Sequence, residues 1–459
     1  MIADLKPYPE YKASGLSWLG QVPSHWLVVR NGSLFGQRNQ TGYAALPILE
    51  VSLKTGVRVR DFEKAARKQV MSDLDKYKRA AKGDVAYNMM RMWQGAVGVA
   101  PVDGLVSPAY VVARPYPNVE PQFFADLFRT GDYMAEVDNC SRGIVKDRNR
   151  LYWDQFKQML SPCPSLSEQA TIVRFLDWAN GRLERTIRAK RKVIALLIEQ
   201  KQAIIHRAVT RGLDPAVPLK PSGIPWLGDI PQHWEMRKLK HLTRFVNGLP
   251  FKPGDWKAEG IPIIRIQNLN GSDVFNYTNR KDLPDALLIQ PGDLMFAWSG
   301  NRGTSFGPFE WIREISGYLN QHIFKLVAYT LPKRYFYYVL RAVTRHVEEQ
   351  AGGIIGLVHV TKPELGSVQV PLAPTAEAEA IAQHIVAATD GIDRVINRLA
   401  REINLLHEYR TRLVADLVTG KLDVREAPSR LPDEATPDVG RDLADETYDA
   451  ELTDEEAEA

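Results

Sequence analysis

Amide, hydroxyl, guanidinium and indole side chains recur in a few short loops of this 459-residue chain, a chemistry of recognition rather than of bond making. In the second half, Gln267, Asn268 and Asn270 lie in a segment bounded by glycine, and such amides can pair with adenine through N6 and N7. Trp298, Ser299, Asn301 and Arg302 occupy another glycine-flanked loop, after the apolar run that follows Gly292-Asp293. The first half has Lys54, Thr55 and Arg58 at the place of the amide loop, and Arg91, Trp93 and Gln94 after its own Gly83-Asp84 pair. Arg142, Lys146 and Arg148 add a basic loop. Cations for phosphates and planar donors or acceptors for base edges are the two contacts that sequence-specific DNA binding needs. All of these residues are candidates for it, although a solvated turn, or a buried anchor for the tryptophans, is the plainer role for any one of them.

Signatures of catalysis are missing. Methyl transfer to an exocyclic amine calls for Asn or Asp followed by two prolines and an aromatic residue, with a Gly-rich cofactor loop, and neither occurs. A phosphate-cradling G-x-x-x-x-G-K-[ST] loop is absent as well. Local carboxylate-lysine groupings such as Glu10-Tyr11-Lys12 are too degenerate to mark a metal nuclease. The two cysteines, Cys140 and Cys163, and the nine histidines show no ligand or redox spacing. His25 and His233, each followed by Trp, read as structural members of a repeated motif. No metal and no cofactor is therefore expected on this chain.

Charge is divided unevenly. From Arg425 onward there are 13 acidic and 3 basic side chains, so the overall +4 is the difference between +14 on residues 1–424 and −10 on the tail. A basic body suits a polyanionic partner, while the acidic tail reads as disordered, with weak masking of the basic surface as its expected role. The N-terminus lacks the layout of a signal peptide, and no apolar run approaches the roughly 18 residues of a membrane span, so a cytoplasmic protein is expected.

What positions these loops is a repeat. SGLSWLGQVPSHW at Ser14–Trp26 returns as SGIPWLGDIPQHW at Ser222–Trp234, with eight of thirteen positions identical at an offset of 208. Gly83-Asp84 answers Gly292-Asp293 and Pro162 answers Pro371, both at 209. Such a period is too long for a solenoid and implies a duplicated domain. Each half opens with short β-branched and aromatic runs separated by Gly, Pro, Asn and Asp, as in an α+β domain rich in loops. Each then turns helical. Ile172, Leu176, Ala179, Leu183, Ile187, Ile194 and Leu197 keep three-and-four spacing after a Ser165/Ser167–Glu168 start, and Ile381, Ile385, Ile392, Leu399 and Ile403 repeat the pattern. A helix of some 40 residues is about 60 Å long. Two such stripes are expected to pair as antiparallel coiled-coil helices with the globular domains at opposite ends. Gly181 and Gly391 interrupt them and are expected to mark bends or close approaches. The expected segments are 1–164 and 213–373 for the two domains, 165–212 and 374–424 for the helices, and 425–459 for the tail.

With W-L-G-x-[VI]-P-x-H-W heading each half, GIPIIRIQNLNG, GDLMFAWSGNRG and NQHIF in the second, and SLSEQATIV entering the first long helix, the chain resembles the specificity subunits of type I restriction-modification systems over residues 1 to about 424. The first half departs from the pattern, with SPAYVV and NMMRMWQGAVG in place of NQHIFK and AWSGNRGTS. The resemblance implies two target-recognition domains in tandem, held by spacer helices on which two methyltransferase subunits dock, with restriction/translocase subunits joining them. The seam residues Leu176, Leu183, Ile187, Ile194, Ile385, Ile392, Leu399 and Ile403 are the expected docking positions, serving as core and partner surface at once. S-adenosylmethionine, ATP and Mg are implied on the partners only. Because the loops of the two halves differ, a split, non-palindromic DNA target is expected, its gap set by the helices. The rival reading is a coiled-coil DNA-binding adaptor that recruits a different effector.

Overall fold

The computed structural model describes residues 5–53, 55–61, 73–141, 149–351 and 356–426. It divides into two units: unit 1 joins Met1–Lys190 to Arg401–Ala459, and unit 2 is the continuous stretch Arg191–Ala400.

In unit 1, β1 (Phe35–Arg38), β2 (Val85–Asn88), β3 (Val97–Val99) and β4 (Tyr110–Pro115) form an antiparallel sheet of spatial order β1-β4-β2-β3. In unit 2, β5 (Arg244–Asn247), β6 (Leu294–Ala297), β7 (Gly307–Glu310) and β8 (Ile323–Val327) follow the same plan, β5-β8-β6-β7, again antiparallel throughout. The strands β2 and β6 are nearly unbroken apolar runs because they are covered on both faces: Val85, Ala86 and Tyr87 are fully buried, as are Met295, Phe296 and Ala297. Each is entered through a Gly-Asp turn. Gly83 and Gly292 have φ of 88° and 87°, left-handed values that suit glycine. The Asp84 carboxylate accepts from the Ala81 N–H and pairs with Arg38; Asp293 accepts from the Gln290 N–H and pairs with Lys325.

The sheets pack on helices. In unit 1, α1 (Pro121–Phe128) contributes Phe123, Phe124 and Phe128 to a core with Trp26, Phe35, Tyr133 and Phe156. Ile172, Phe175 and Leu176 of α2 (Leu166–Arg211) and Leu413, Leu417 and Val418 of the last helix join it. In unit 2, α3 (Lys333–Gln350) brings Tyr335, Phe336 and Val339 against Trp234, Phe245 and Phe296. Ile205 and Val209 of α2 and Ile381 and Ile385 of α4 (Thr375–Val418) complete that core. Among the described residues, no helix is long and apolar enough to cross a membrane.

The Ser165 hydroxyl accepts from the Glu168 N–H at the start of α2, and glycines at φ 72° (Gly212) and 79° (Gly420) follow the ends of α2 and α4. Within unit 1 the two helices run antiparallel, with Glu184 facing Arg410 and Lys190 bonded to Glu402; within unit 2, Lys201 bonds Asp393. Leu176, Leu183, Ile187, Ile385 and Ile403 are buried, and Ile194, Ile392 and Leu399 half-buried. The five buried members of the stripe are covered by packing, and the other three keep part of their surface open. The exposed apolar side chains of the two helices include Leu166, Val193, Leu196, Ile198, Val395, Leu405 and Tyr409. Close approach at the interrupting glycines is not found. A Cβ on Gly391 would meet nothing within 4 Å, and one on Gly181 only the tip of Arg185 at 3.8 Å.

The repeated His-Trp pair ties each unit together. Trp26, fully buried, donates its indole N–H to Glu168 Oε1 at 3.1 Å, His25 Nε2 lies 2.9 Å from Oε2, and the Tyr8 hydroxyl donates to Oε1 at 2.7 Å. In unit 2, Trp234 donates to Glu377 at 2.9 Å and His233 lies 2.8 Å from it. The same tryptophans abut the glycine at the end of the other long helix, Trp26 against Gly420 and Trp234 against Gly212. In unit 1 the N-terminal segment also bonds the chain's last described turn, through the Asp423 N–H to the Lys6 carbonyl at 2.8 Å.

Glu168→Ala strands a buried indole N–H and a buried hydroxyl, and is expected to destabilise unit 1 by about 3 kcal/mol. Glu377→Ala, whose carboxylate side chain is 28 % exposed against 5 % for Glu168, is expected to cost about 1 kcal/mol. Urea denaturation followed by tryptophan fluorescence ranks the two. Gly391→Ala removes a flexible residue from an open helix position and should add about 0.5–1 kcal/mol in the same assay.

Candidate nucleic-acid interface

In each unit the candidate loops issue from one end of the four-stranded sheet. In unit 1, β2 ends at Asn88 opposite Tyr110, the first residue of β4, and Tyr87 faces Val97, the first of β3. The segment 89–96 and the approach to β4 therefore lie together, joined by the Met89 N–H on the Ala109 carbonyl. The hairpin of Leu49–Ser52 and Gly56–Val59 reaches the same end, where Arg129 donates to the carbonyls of Val97 and Leu53.

Thr55 is exposed in that hairpin turn, its N–H bonded to Ser52 Oγ. Arg58 pairs across the hairpin with Glu50 at 2.6 Å, which offsets its charge. Arg91 and Gln94 are exposed around a single 3-10 turn, Met92–Gln94. Trp93 is half-buried against the core, its indole N–H on the Met90 carbonyl at 3.0 Å, so it anchors the turn. Lys54, Arg142, Lys146 and Arg148 lie outside the described residues.

Unit 2 adds a second sheet, in which Ile261–Ile264 runs parallel to Gly317–Leu319 with Ile264 opposite Leu319. Both strands leave at the same end, so the amide loop 265–271 emerges beside Asn320, whose N–H bonds the Ile264 carbonyl. Asn320, Gln321 and His322 lead into β8, whose Ile323 faces Ala297, the residue before Trp298. Ser299–Asn301 then pairs with Leu357–His359, placing Ser299 opposite His359. Gln267, Asn270, Trp298, Ser299 and Asn301 thus share one surface with Gln321, His322 and His359.

Two of the expected readers are turned to other tasks. Asn268 is 2 % exposed; its Oδ1 accepts from the Arg265 N–H at 3.0 Å and its Nδ2 donates to the carbonyls of Val274 at 2.8 Å and Ser272 at 3.3 Å. That corrects its expected contact with a base: the amide builds the loop from which Gln267 and Asn270 project, both exposed. Arg302 donates to the carbonyls of Glu348 and Ala351 at the end of α3, where a cation suits the helix dipole. Trp298 is half-buried, its indole N–H on the Gln321 carbonyl at 3.0 Å and its ring stacked on Phe324 at 5.7 Å.

Burial, and the neighbouring His359, hold the His322 imidazole below its ordinary pKa. Both cysteines are free thiols, and burial pushes both upward, Cys140 further through Glu136. Among the described residues, no three His, Cys, Asp or Glu side chains gather as a metal site.

Residues 231–405 match the family described as the type I restriction modification DNA specificity domain. A Methanocaldococcus jannaschii protein assigned as the MjaX type I restriction enzyme specificity subunit is 23% identical over 89% of this chain and 96% of its own length. The EcoBI type I specificity subunit of Escherichia coli is 24% identical over 42% of this chain and 40% of its own. The family model and these relatives all point to a type I specificity subunit. A solved chain from a type I R-M system shares the fold, with a TM-score of 0.57 at 15% identity over 87% of this chain and 99% of that one.

The specificity-domain match starts at Pro231, inside the repeated motif, and runs over every unit 2 loop described above into α4. Gln321, His322 and His359 lie on the same surface of unit 2 without having been candidates. NQHIF and GLVHV hold them in the sequence, but only the pairing of Ser299 with His359 brings the two histidines together.

Asn268→Ala removes three hydrogen bonds from a buried loop and is expected to destabilise unit 2 by about 2 kcal/mol, whereas Gln267→Ala and Asn270→Ala should each stay within about 0.5 kcal/mol. Thermal denaturation of the three variants separates the loop's builder from its exposed side chains.

Proposed function

We propose that each unit of this specificity subunit reads one half of a split, non-palindromic DNA target, with the segments 1–164 and 213–373 as the two target-recognition domains. One observation carries this reading: the same sheet plan in both units delivers loops of different chemistry to the same end. Arg91, Trp93 and Gln94 follow β2, whereas Trp298, Ser299 and Asn301 follow β6. A common frame with unlike loops suits two readers of unlike sequence. Gln267 and Asn270 supply exposed amides for adenine edges, and the exposed Arg91 supplies a phosphate contact.

Catalysis belongs to partners in this reading. Methyltransferase subunits dock on the long helices and use S-adenosylmethionine, and restriction/translocase subunits use ATP and Mg, all in the cytoplasm. The exposed apolar side chains Val193, Leu196, Ile198, Val395, Leu405 and Tyr409 are the docking positions that support it, since exposed apolar clusters mark contact surfaces.

Coexpression with a methyltransferase subunit, followed by genome-wide mapping of N6-methyladenine, tests the proposal. A single bipartite motif is expected, and Gln267→Ala with Asn270→Ala should relax one half of it, by about 1–3 kcal/mol of discrimination per lost bidentate contact. A continuous palindrome, or a double variant that leaves both halves unchanged, rejects it.

A further inference from the structure

We propose that His322 and His359 form a phosphate-binding pair in the unit 2 interface, and that engaging the DNA backbone draws a proton onto His322. The inference rests on the DNA-reading function above and names residues and a linkage that it does not contain.

Both imidazoles are exposed, at the sheet end where the amide loop and the Trp298 loop meet. Trp298 holds them together: its ring centroid lies 5.2 Å from that of His322 and 4.9 Å from that of His359, and its own orientation is set by Phe324 and the Gln321 carbonyl. The only side-chain hydrogen bond made by either ring among the described residues is Gln321 Nε2 to His322 Nε2 at 3.2 Å, so no carboxylate is bonded to either. The charged groups on the elements packed around the pair are few. Glu364, on the helix Lys362–Ser367, has its carboxylate on the Thr361 N–H and hydroxyl, and Arg302 is bonded to the end of α3. Two exposed imidazoles set against one indole, beside planar donors and with no carboxylate hydrogen-bonded to either, match the charge and hydrogen-bonding needs of a phosphate oxygen, and Glu364 acts on His359 only through space.

The proton follows from the same placement. His322 is held below its ordinary pKa by burial and by the like charge of His359, so the free protein carries it neutral near pH 7. A phosphate oxygen at hydrogen-bond distance favours the imidazolium and raises that pKa in the complex. Below the free pKa the ring is already charged and affinity is flat. Between the free and bound values affinity falls as pH rises, and above the bound value it is flat again.

The test measures binding of the full chain, alone and with its methyltransferase partner, to a fluorescein-labelled mixed-sequence DNA duplex, by anisotropy across pH and salt. A phosphate contact needs no target sequence. The expected affinity falls by up to about tenfold per pH unit within the window, and the plot of log K against log salt is steeper at its acid side by about one phosphate contact. His322→Asn flattens the profile, and His322→Lys keeps the acid-side affinity at alkaline pH. His359→Asn removes the opposing charge and moves the window upward. A wild-type profile no different from that of His322→Asn, in a protein that does bind the duplex, overturns the pair and leaves the reading function standing. Absence of binding at every pH overturns both.

Discussion

A carboxylate placed in the first turn of a long helix and wholly or partly shielded from water has to be met by donors from elsewhere in the chain. In unit 1 that group is Glu168, and its partners are Tyr8, His25 and Trp26; in unit 2 it is Glu377, met by His233 and Trp234. The arrangement fixes where the helix starts relative to the domain that precedes it. Because each tryptophan also lies on the glycine that ends the other long helix, one indole sets two helix termini at once. The sheet, the recognition loops at its end and the aromatic core are then built outward from a point where three separate stretches of chain meet.

That dependence explains why the W-L-G-x-[VI]-P-x-H-W segment is repeated so closely while the loops are not. Its proline and glycine shape the turn, and its His and Trp grip the glutamate. Framework and recognition are thus carried by different residues, so the loops can change without disturbing the clamp. The same division appears inside the amide loop: Asn268 is structural, and its neighbours Gln267 and Asn270 are exposed.

Much of this frame was legible before the structure. The Ser165 start and the two helical stripes follow from local rules, in which a residue type and its spacing imply a backbone conformation. Asn268 was misread because its partners are backbone groups, the Arg265 N–H and two carbonyls, that converge only when the loop closes. Spacing likewise identifies the apolar stripe of a helix, but not which of its members packing covers. Ile187 is fully buried while Leu196 of the same helix is 56 % exposed. His322 and His359 were invisible as a pair because strand pairing, not sequence separation, makes them neighbours.

The bond between Asp423 and Lys6 has a consequence for how the protein is made. Unit 2 is a continuous segment, complete once residue 400 has left the ribosome. Unit 1 begins first and finishes last, since Leu413, Leu417 and Val418 fill its core and the last described turn closes on its N-terminal strand. During translation the usual N-to-C order of domain maturation is therefore inverted. The first half emerges with an unfilled aromatic core and waits through the synthesis of a whole second unit, the interval in which a nascent chain of this design is most exposed to aggregation or in need of a chaperone.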